Sequence, residues 1–155
     1  MRTNKSQSGV ALIELGISIF LLVTIVFGIT EFGRAVYQYN ALAKAARDGV
    51  RFLAVKDATV PGTVAEAKCV VVYGNLSCSG SPLVPNLTVA MVSVCQPLDP
   101  ACTATHQAQG ASPVINLVTV TIGGGTTPYV FQSLASFVVP DIAFSAISAT
   151  MRQVL

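Results

Sequence analysis

Charged side chains are scarce in this chain: they make up only 10% of its 155 residues, against about 25% in an ordinary soluble domain. Tryptophan is absent, and the formal net charge is only +2. The sequence contains no patch of basic residues interleaved with aromatic ones, which is the pattern of a nucleic-acid-binding surface. We therefore expect no nucleic acid among the partners of this protein.

Groups that could carry out catalysis are also few. His106 is the only histidine, and it lies in a polar, proline-bearing segment where no partner base or nucleophile is evident. The acidic residues are scattered along the chain without a close pair that would suit acid–base chemistry. No CxxC motif occurs, so a metal site is not indicated. The sequence thus predicts no enzyme, no cofactor and no metal. A membrane-tethered hydrolase that depends on His106 is the weakest alternative.

Apolar residues are concentrated near the start of the chain. Residues 10–29 form a block in which Glu14 is the only ionisable side chain, and about twenty helical residues span the hydrocarbon core of a bilayer. The block is longer than the apolar core of a cleaved secretory signal, so we expect a retained transmembrane helix. The leader before it carries Arg2 and Lys5 and no acid. These charges predict a cytoplasmic leader, with residues 30–155 outside.

The helix is predicted to continue beyond the membrane. Apolar side chains recur at alternating spacings of four and three residues, which is typical of one helix face, and no proline occurs before Pro61. A single helix from Val10 to Ala54 would be about 68 Å long. Its apolar stripe packs against the chain's own domain, against other subunits, or against both. The stripe consists of Phe32, Val36, Tyr39, Ala43, Ala46, Val50 and Leu53.

A second, short helix is predicted after a break in the chain. Pro61 and Gly62 break the chain before it, and Thr63 with Glu66 three residues later has the spacing of a capping box. We expect a helix over residues 64–72, closed by Gly74.

The remainder of the chain is rich in predicted strands. Residues 87–94 and 115–122 are rich in β-branched side chains. Residues 123–125, three glycines, are predicted to form a turn. Residues 129–138 are predicted to form a strand that turns into a short helix, and residues 142–151 are predicted to form a final strand. Helices first and strands later indicate an α+β fold, in which the long N-terminal helix, with a membrane half and an amphipathic half, packs against a small antiparallel sheet.

The four cysteines all fall on the predicted outer side of the membrane. An even number of cysteines in an oxidising compartment predicts two disulfides. Local pairing would join Cys69 to Cys78 and Cys95 to Cys102, and the sequence leaves the other two pairings open.

The start of the chain carries the most specific pattern. A short basic leader ends at Gly9, and the apolar helix begins at once with Glu14 as its fifth residue. This arrangement resembles the processing site of type IV prepilins, in which a membrane peptidase cuts after the glycine. The chain also resembles the TadE-like family of minor pilins (pseudopilins) of tight-adherence pili. The segments that carry this resemblance are Glu31-Phe32-Gly33-Arg34, Ala45-Ala46-Arg47-Asp48-Gly49-Val50-Arg51 and, more modestly, Ser148-Ala149-Thr150-Met151-Arg152.

The resemblance implies a pilin-like fold and a structural role in initiating, priming or capping a tight-adherence pilus. Cleavage between Gly9 and Val10 by a prepilin peptidase would leave an amine on Val10. Glu14, which would cost about 2.5–3.5 kcal/mol in hydrocarbon, could neutralise the amine of a neighbouring subunit. Alternatively, its side chain reaches the cytoplasmic interface. Leu15 departs from the family pattern, which prefers an aromatic residue directly after the glutamate.

The implied organisation follows the same plan. Residues 1–9 form a cytoplasmic leader, residues 10–29 the transmembrane helix, residues 30–55 its amphipathic continuation, and residues 56–155 an extracytoplasmic domain. The implied partners are other pilin subunits, the prepilin peptidase, the inner-membrane assembly platform and the lipid bilayer. The implied location is the bacterial inner membrane, with the C-terminal domain in the periplasm or carried into an extracellular pilus. An alternative is an uncleaved single-pass anchor with an extracytoplasmic binding or scaffold domain of a secretion system.

Overall fold

One long helix organises the molecule. The computed structural model describes residues 8–56, 60, 62–97, 99–108, 115–125 and 127–154, so the basic leader with Arg2 and Lys5 lies outside the described residues. Helix α1 runs without interruption over Ser8–Ala54, 47 residues, or about 70 Å. The predicted continuous helix is therefore confirmed. The α+β fold class is confirmed as well, because a second helix and a small antiparallel sheet pack against the outer half of α1.

The two halves of α1 have different surroundings. Side chains of residues 10–29 are exposed on nearly every side, and this is the one helix among the described residues that is long and apolar enough to cross a membrane. Beyond residue 30 one face becomes buried against the rest of the chain. The buried positions on this face are Glu31, Ala35, Gln38, Leu42, Ala45, Ala46, Gly49, Val50, Leu53 and Ala54.

Helix α2 spans Thr63–Tyr73 and packs across the outer half of α1. Gly74 closes it in the left-handed conformation, with φ of 71°, and its N–H donates to Val70 O at 2.9 Å. This C-terminus agrees with the predicted one. The predicted capping box is wrong, because Gly62 occupies the cap position with φ of 92° and Thr63 is already the first helical residue. Pro61, which the prediction also invoked, lies outside the described residues.

The sheet is built around β3, Ile115–Ile122, which is the predicted strand. Strand β1, Val92–Cys95, pairs with its second half, and β6, Ile147–Arg152, pairs with Leu117 to Ile122; both are antiparallel. The two-residue β2, Gln107–Ala108, pairs with the first residues of β3. Val118, Val120 and Ile122 alternate toward the helices and are buried. This apolar side of the sheet, together with α2 and α1, forms the core.

Two predicted strands differ from the observed ones. In the strand predicted over residues 87–94, strand structure begins only at Val92 and runs to Cys95. A 3-10 turn at Val89–Met91 precedes it, and Asn86 before that turn has φ of 63°. The last predicted strand is divided into β5, Ile142–Ala143, and β6. Residues 144–146 between them are not strand, although the Phe144 N–H still donates to Tyr129 O at 2.9 Å, and the Phe144 ring packs against the rings of Tyr129 and Phe131.

A small hairpin lies beside the sheet. Strand β4, Val130–Phe131, pairs with β5 in antiparallel register. The predicted helix after β4 is a turn in the structure, with Val138 and Val139 both donating to Ala135 O. A four-residue helix α3, Thr103–His106, was not predicted from the polar segment that contains it.

Candidate functional site

The predicted processing site lies in the first turns of α1. Val10 is 69% exposed, and a side chain added at Gly9 would meet nothing within 4 Å. Glu14 is exposed too, and it makes no hydrogen bond or ion pair with any other residue that the structure describes. Gly9, Val10 and Glu14 are therefore presented to the surroundings of the helix, and the described part of the chain's own domain makes no use of them.

The predicted helix stripe is divided between two environments. Ala46, Val50 and Leu53 are buried in the core of the chain's own domain. Phe32, Val36 and Tyr39 are exposed, and Ala43 lies between these extremes. In the first half of the amphipathic segment, the face that packs on the domain is shifted by about one residue and includes Glu31, Ala35 and Gln38 instead.

Glu31 stands where the apolar half of α1 ends, and it is buried although it carries a charge, with 3% of its surface exposed. Its Oε1 accepts a hydrogen bond from Arg34 Nη1 at 2.7 Å, one turn further along the helix. Its Oε2 accepts from the Leu134 N–H and from the Ser133 hydroxyl, each at 3.1 Å. The carboxylate thus ties α1 to the turn that follows β4.

These contacts determine the charge state of Glu31. Burial alone would raise its pKa, because it disfavours the ionised form. The hydrogen bonds from the Leu134 N–H, from Arg34 and from Ser133, with the positive charge of Arg34, outweigh burial and hold the pKa below the ordinary glutamate value. Glu31 is therefore a carboxylate at neutral pH.

Arg34 extends the same connection. Its Nη2 donates to Gln132 O at 3.3 Å, and its guanidinium lies 5.1 Å from the centre of the Phe131 ring, a distance that suits a cation–π contact. The Ser133 N–H donates to Asp141 Oδ1 at 2.9 Å, which closes the turn. These residues lie where α1 leaves its apolar half, and we therefore call them the exit cluster: Glu31, Arg34, Ser133, Leu134 and Asp141.

A buried polar contact lies one further turn outward. The Tyr129 hydroxyl is 2.8 Å from Gln38 Oε1 and 2.8 Å from Pro85 O. Burial raises the pKa of Tyr129, and the charge of Arg34 opposes that shift only in part. The hydrogen bond satisfies the Gln38 amide oxygen, so this polar residue can be buried on the face of α1 that packs on the domain. A pattern of apolar residues alone does not place Gln38 on that face.

One stretch of α1 matches a known protein family. Residues 9–51 match the family model described as TadE-like protein. The resemblance to the TadE-like family is confirmed. No curated protein and no solved structure matches the chain.

The TadE-like segment coincides with the part of α1 that carries the distinctive residues. It begins at Gly9, contains Glu14 and the Glu31–Arg34 pair, and ends at Arg51 within the buried half of the helix. The TadE-like pilus family is structural rather than enzymatic, and one N-terminal apolar helix fits a single-pass membrane protein of a pilus system. The sheet, α2 and the cysteines lie outside the match.

The structure pairs the four cysteines locally. Cys69 in α2 is bonded to Cys78, and Cys95 at the end of β1 is bonded to Cys102. Each disulfide closes a short loop in the part of the chain that follows the TadE-like segment. Of the three pairings open to the sequence, the structure thus has the one between sequence neighbours.

The lone histidine lies beside one of these disulfides. His106 Nδ1 is 3.5 Å from Cys95 Sγ and 2.8 Å from the Thr105 hydroxyl, and Nε2 is 2.8 Å from the Thr119 hydroxyl. Cys95, Cys102 and His106 have metal-binding atoms within 4.8 Å of one another. Thiolates are the form of cysteine that binds metals, so the sulfurs of this disulfide are not available as ligands.

Proposed function

We propose that this protein is a structural minor pilin, or pseudopilin, that helps to initiate, prime or cap a tight-adherence pilus after cleavage behind Gly9 by a prepilin peptidase. The observation that supports this most strongly is the match of residues 9–51 to the TadE-like family on a helix whose first half has almost no contact with the rest of the described chain. The role needs no catalytic group.

The first half of α1, which has almost no contact with the rest of the described chain, suits storage in a membrane before assembly. Residues 10–29 are long enough to cross the hydrocarbon core, and their apolar side chains are exposed on all sides in the single chain. In a pilus the same side chains would pack against those of other subunits. The helix would span a bacterial inner membrane. The leader would remain on the cytoplasmic side, and the domain from residue 56 onward would lie in the periplasm.

The exposed part of the helix stripe supports contacts between subunits. Phe32 is 66% exposed, and Val36 and Tyr39, which lie on the same helix face within the next two turns, are 43% and 44% exposed. Large apolar side chains that are grouped on a surface commonly mark an interaction site. We propose that this surface packs against other pilin subunits, or against the inner-membrane assembly platform before extrusion.

Processing is tested by the N-terminus of the mature protein. In cells that express the pilus system, intact-mass measurement and N-terminal sequencing should find Val10 as the first residue. Gly9→Leu should block this cleavage. Gly16→Leu is the matched control, because Gly16 also lies on the bare helix with nothing within 4 Å of an added side chain, and it should be processed normally. A mature protein that retains Met1 would overturn the proposal and favour the uncleaved anchor with a binding or scaffold domain.

The assembly role of Glu14 needs a separate test. Cleavage would place a positive amine on Val10, one helical turn from Glu14, and in a low-dielectric filament the two charges of neighbouring subunits would attract strongly. We expect Glu14→Gln to insert into the membrane and to be cleaved, and yet to reduce pilus assembly sharply. Membrane fractionation checks insertion, and counting pili by electron microscopy checks assembly. Normal piliation in this variant would refute the charge pairing.

A further inference from the structure

The turn after β4 runs along α1 back toward the apolar block. Phe131 lies beside Arg34, Leu134 is bonded to Glu31, and Val138 lies beside Gly28, where its methyl group would be 3.7 Å from an added side chain. Each step moves three residues toward the N-terminus of the helix, which is about 4.5 Å. The tip of this turn therefore reaches the level of Gly28, inside the apolar block.

We call residues 133–140 the exit loop; its sequence is SLASFVVP and contains no ionisable side chain. Its two large apolar side chains point away from the domain: Leu134 is 83% exposed and Phe137 is 80% exposed. Such side chains in a charge-free loop gain nothing from contact with water. They lie beside the end of a helix segment that has the length of a membrane span.

We infer that the exit loop dips into the outer surface of the lipid bilayer, with Leu134 and Phe137 inserted at the boundary between head groups and acyl chains. This inference rests on the membrane insertion of α1 that the proposed function requires. Apolar and aromatic side chains are favoured at this boundary. The loop would be a second, shallow contact with the membrane beside the transmembrane helix.

The exit cluster provides what this location needs. Charged groups near the hydrocarbon are tolerated when they are paired, and the Glu31 carboxylate is paired with Arg34 and with two donors of the loop. These same bonds hold the loop at a fixed height on the helix. The side chain at the tip can then reach lipid without leaving the Glu31 charge unpaired.

The absence of tryptophan from the chain permits a direct test. Three single variants of the full chain, Phe137→Trp, Phe20→Trp and Tyr37→Trp, are reconstituted in phosphatidylcholine–phosphatidylglycerol vesicles. Some of the lipids carry bromine, a fluorescence quencher, either near the carbonyl end or near the methyl end of the acyl chains. Residue 20 is at the middle of the apolar block, and residue 37 is about 12 Å beyond its end.

We expect quenching to report three depths. The tryptophan of Phe20→Trp should be quenched most by bromine near the methyl end. The tryptophan of Phe137→Trp should show blue-shifted emission and should be quenched most by bromine near the carbonyl end. Tyr37→Trp replaces an exposed aromatic residue on the same helix, and its tryptophan should be quenched by neither lipid.

The outcomes separate this inference from the proposed function. If the Phe20→Trp variant is not quenched, α1 does not insert and the membrane-stored pilin is refuted. If Phe20→Trp is quenched while Phe137→Trp behaves like Tyr37→Trp, the helix inserts and the lipid-dipping loop is refuted. If the Phe137→Trp variant loses its blue shift when the protein is diluted with excess lipid, a second copy of the chain covers the loop instead, and this also overturns the inference.

Discussion

Gly49 permits a close approach between α1 and α2, and replacing it tests the packing of the domain. A Cβ built on Gly49 would overlap a methyl group of Val71 in α2 and would also approach Val120 of β3. Val71 and Val120 are fully buried, and Val71 is β-branched and stiff. The side chain therefore cannot move aside without displacing α2.

The magnitude for Gly49→Ala follows from two opposing terms. Overpacking of a filled core costs about 1–3 kcal/mol, whereas alanine is favoured over glycine inside a helix by about 1 kcal/mol. We expect a net loss of unfolding free energy of about 0–2 kcal/mol. Gly33→Ala is the matched control, because an added side chain there meets nothing within 4 Å, and it should not destabilise the protein.

A double-mutant cycle isolates the overlap from the helix preference. Val71→Ala removes the methyl groups that an alanine at position 49 would overlap. Gly49→Ala should therefore be less destabilising in the Val71→Ala background than in the wild type by about 1–3 kcal/mol. The measurement is urea unfolding of the full chain in detergent micelles, followed by the near-ultraviolet circular dichroism of the tyrosines. An equal cost in both backgrounds would refute close packing at Gly49.

Three further predictions concern the exit cluster, the buried tyrosine and the disulfides. Glu31→Gln should lower the protection of the Leu134 amide against hydrogen exchange, measured relative to the intrinsic exchange rate at each pH. Acidification of the wild type should lower this protection too, because the folded pKa is lowered, so the stabilisation is complete above the unfolded pKa and is lost as pH falls through the folded value. Tyr129→Phe, which leaves Gln38 without the hydroxyl, should cost about 1–3 kcal/mol in urea unfolding. Cys69→Ser with Cys78→Ser should cost about 2–3 kcal/mol, and a reductant should destabilise this double variant less than the wild type; unchanged unfolding midpoints in the tyrosine or cysteine variants would contradict these contacts.

The elements that the sequence predicts well are those with a strong local pattern. Helix α1 has an apolar block followed by apolar spacings of four and three, and β3 is a run of β-branched residues, so the bounds of both agree closely with the structure. The segment 87–94 has a similar composition but is strand only at its end. Asn86 lies in a turn that the Leu87 N–H closes by donating to Val84 O, and its side-chain amide donates to Gln132 Oε1. A contact so distant in the sequence leaves no local signal.

The exit cluster could not be found in the same way. Glu31 and Arg34 have the spacing of an ion pair on a helix, which a sequence does reveal. Their other partners follow about a hundred residues later and are backbone groups or a serine hydroxyl. Because a buried carboxylate and a buried amide replace apolar residues on this face, an apolar pattern places the stripe about one residue away from the buried face.

The distinctive residues of the TadE-like segment can be sorted by what already contacts them. Ala45, Ala46 and Gly49 are small and buried, where α2 and the sheet pack closely on α1, so the fold of the single chain accounts for them. Glu31 is accounted for by Arg34 and the exit loop, and Arg34 by Glu31, Gln132 O and the Phe131 ring. Glu14 is different, because the described part of the chain offers it no hydrogen bond or ion pair. A carboxylate costs free energy in lipid, and in the pilus that we propose the free amine of a neighbouring subunit would supply the partner that the described chain does not.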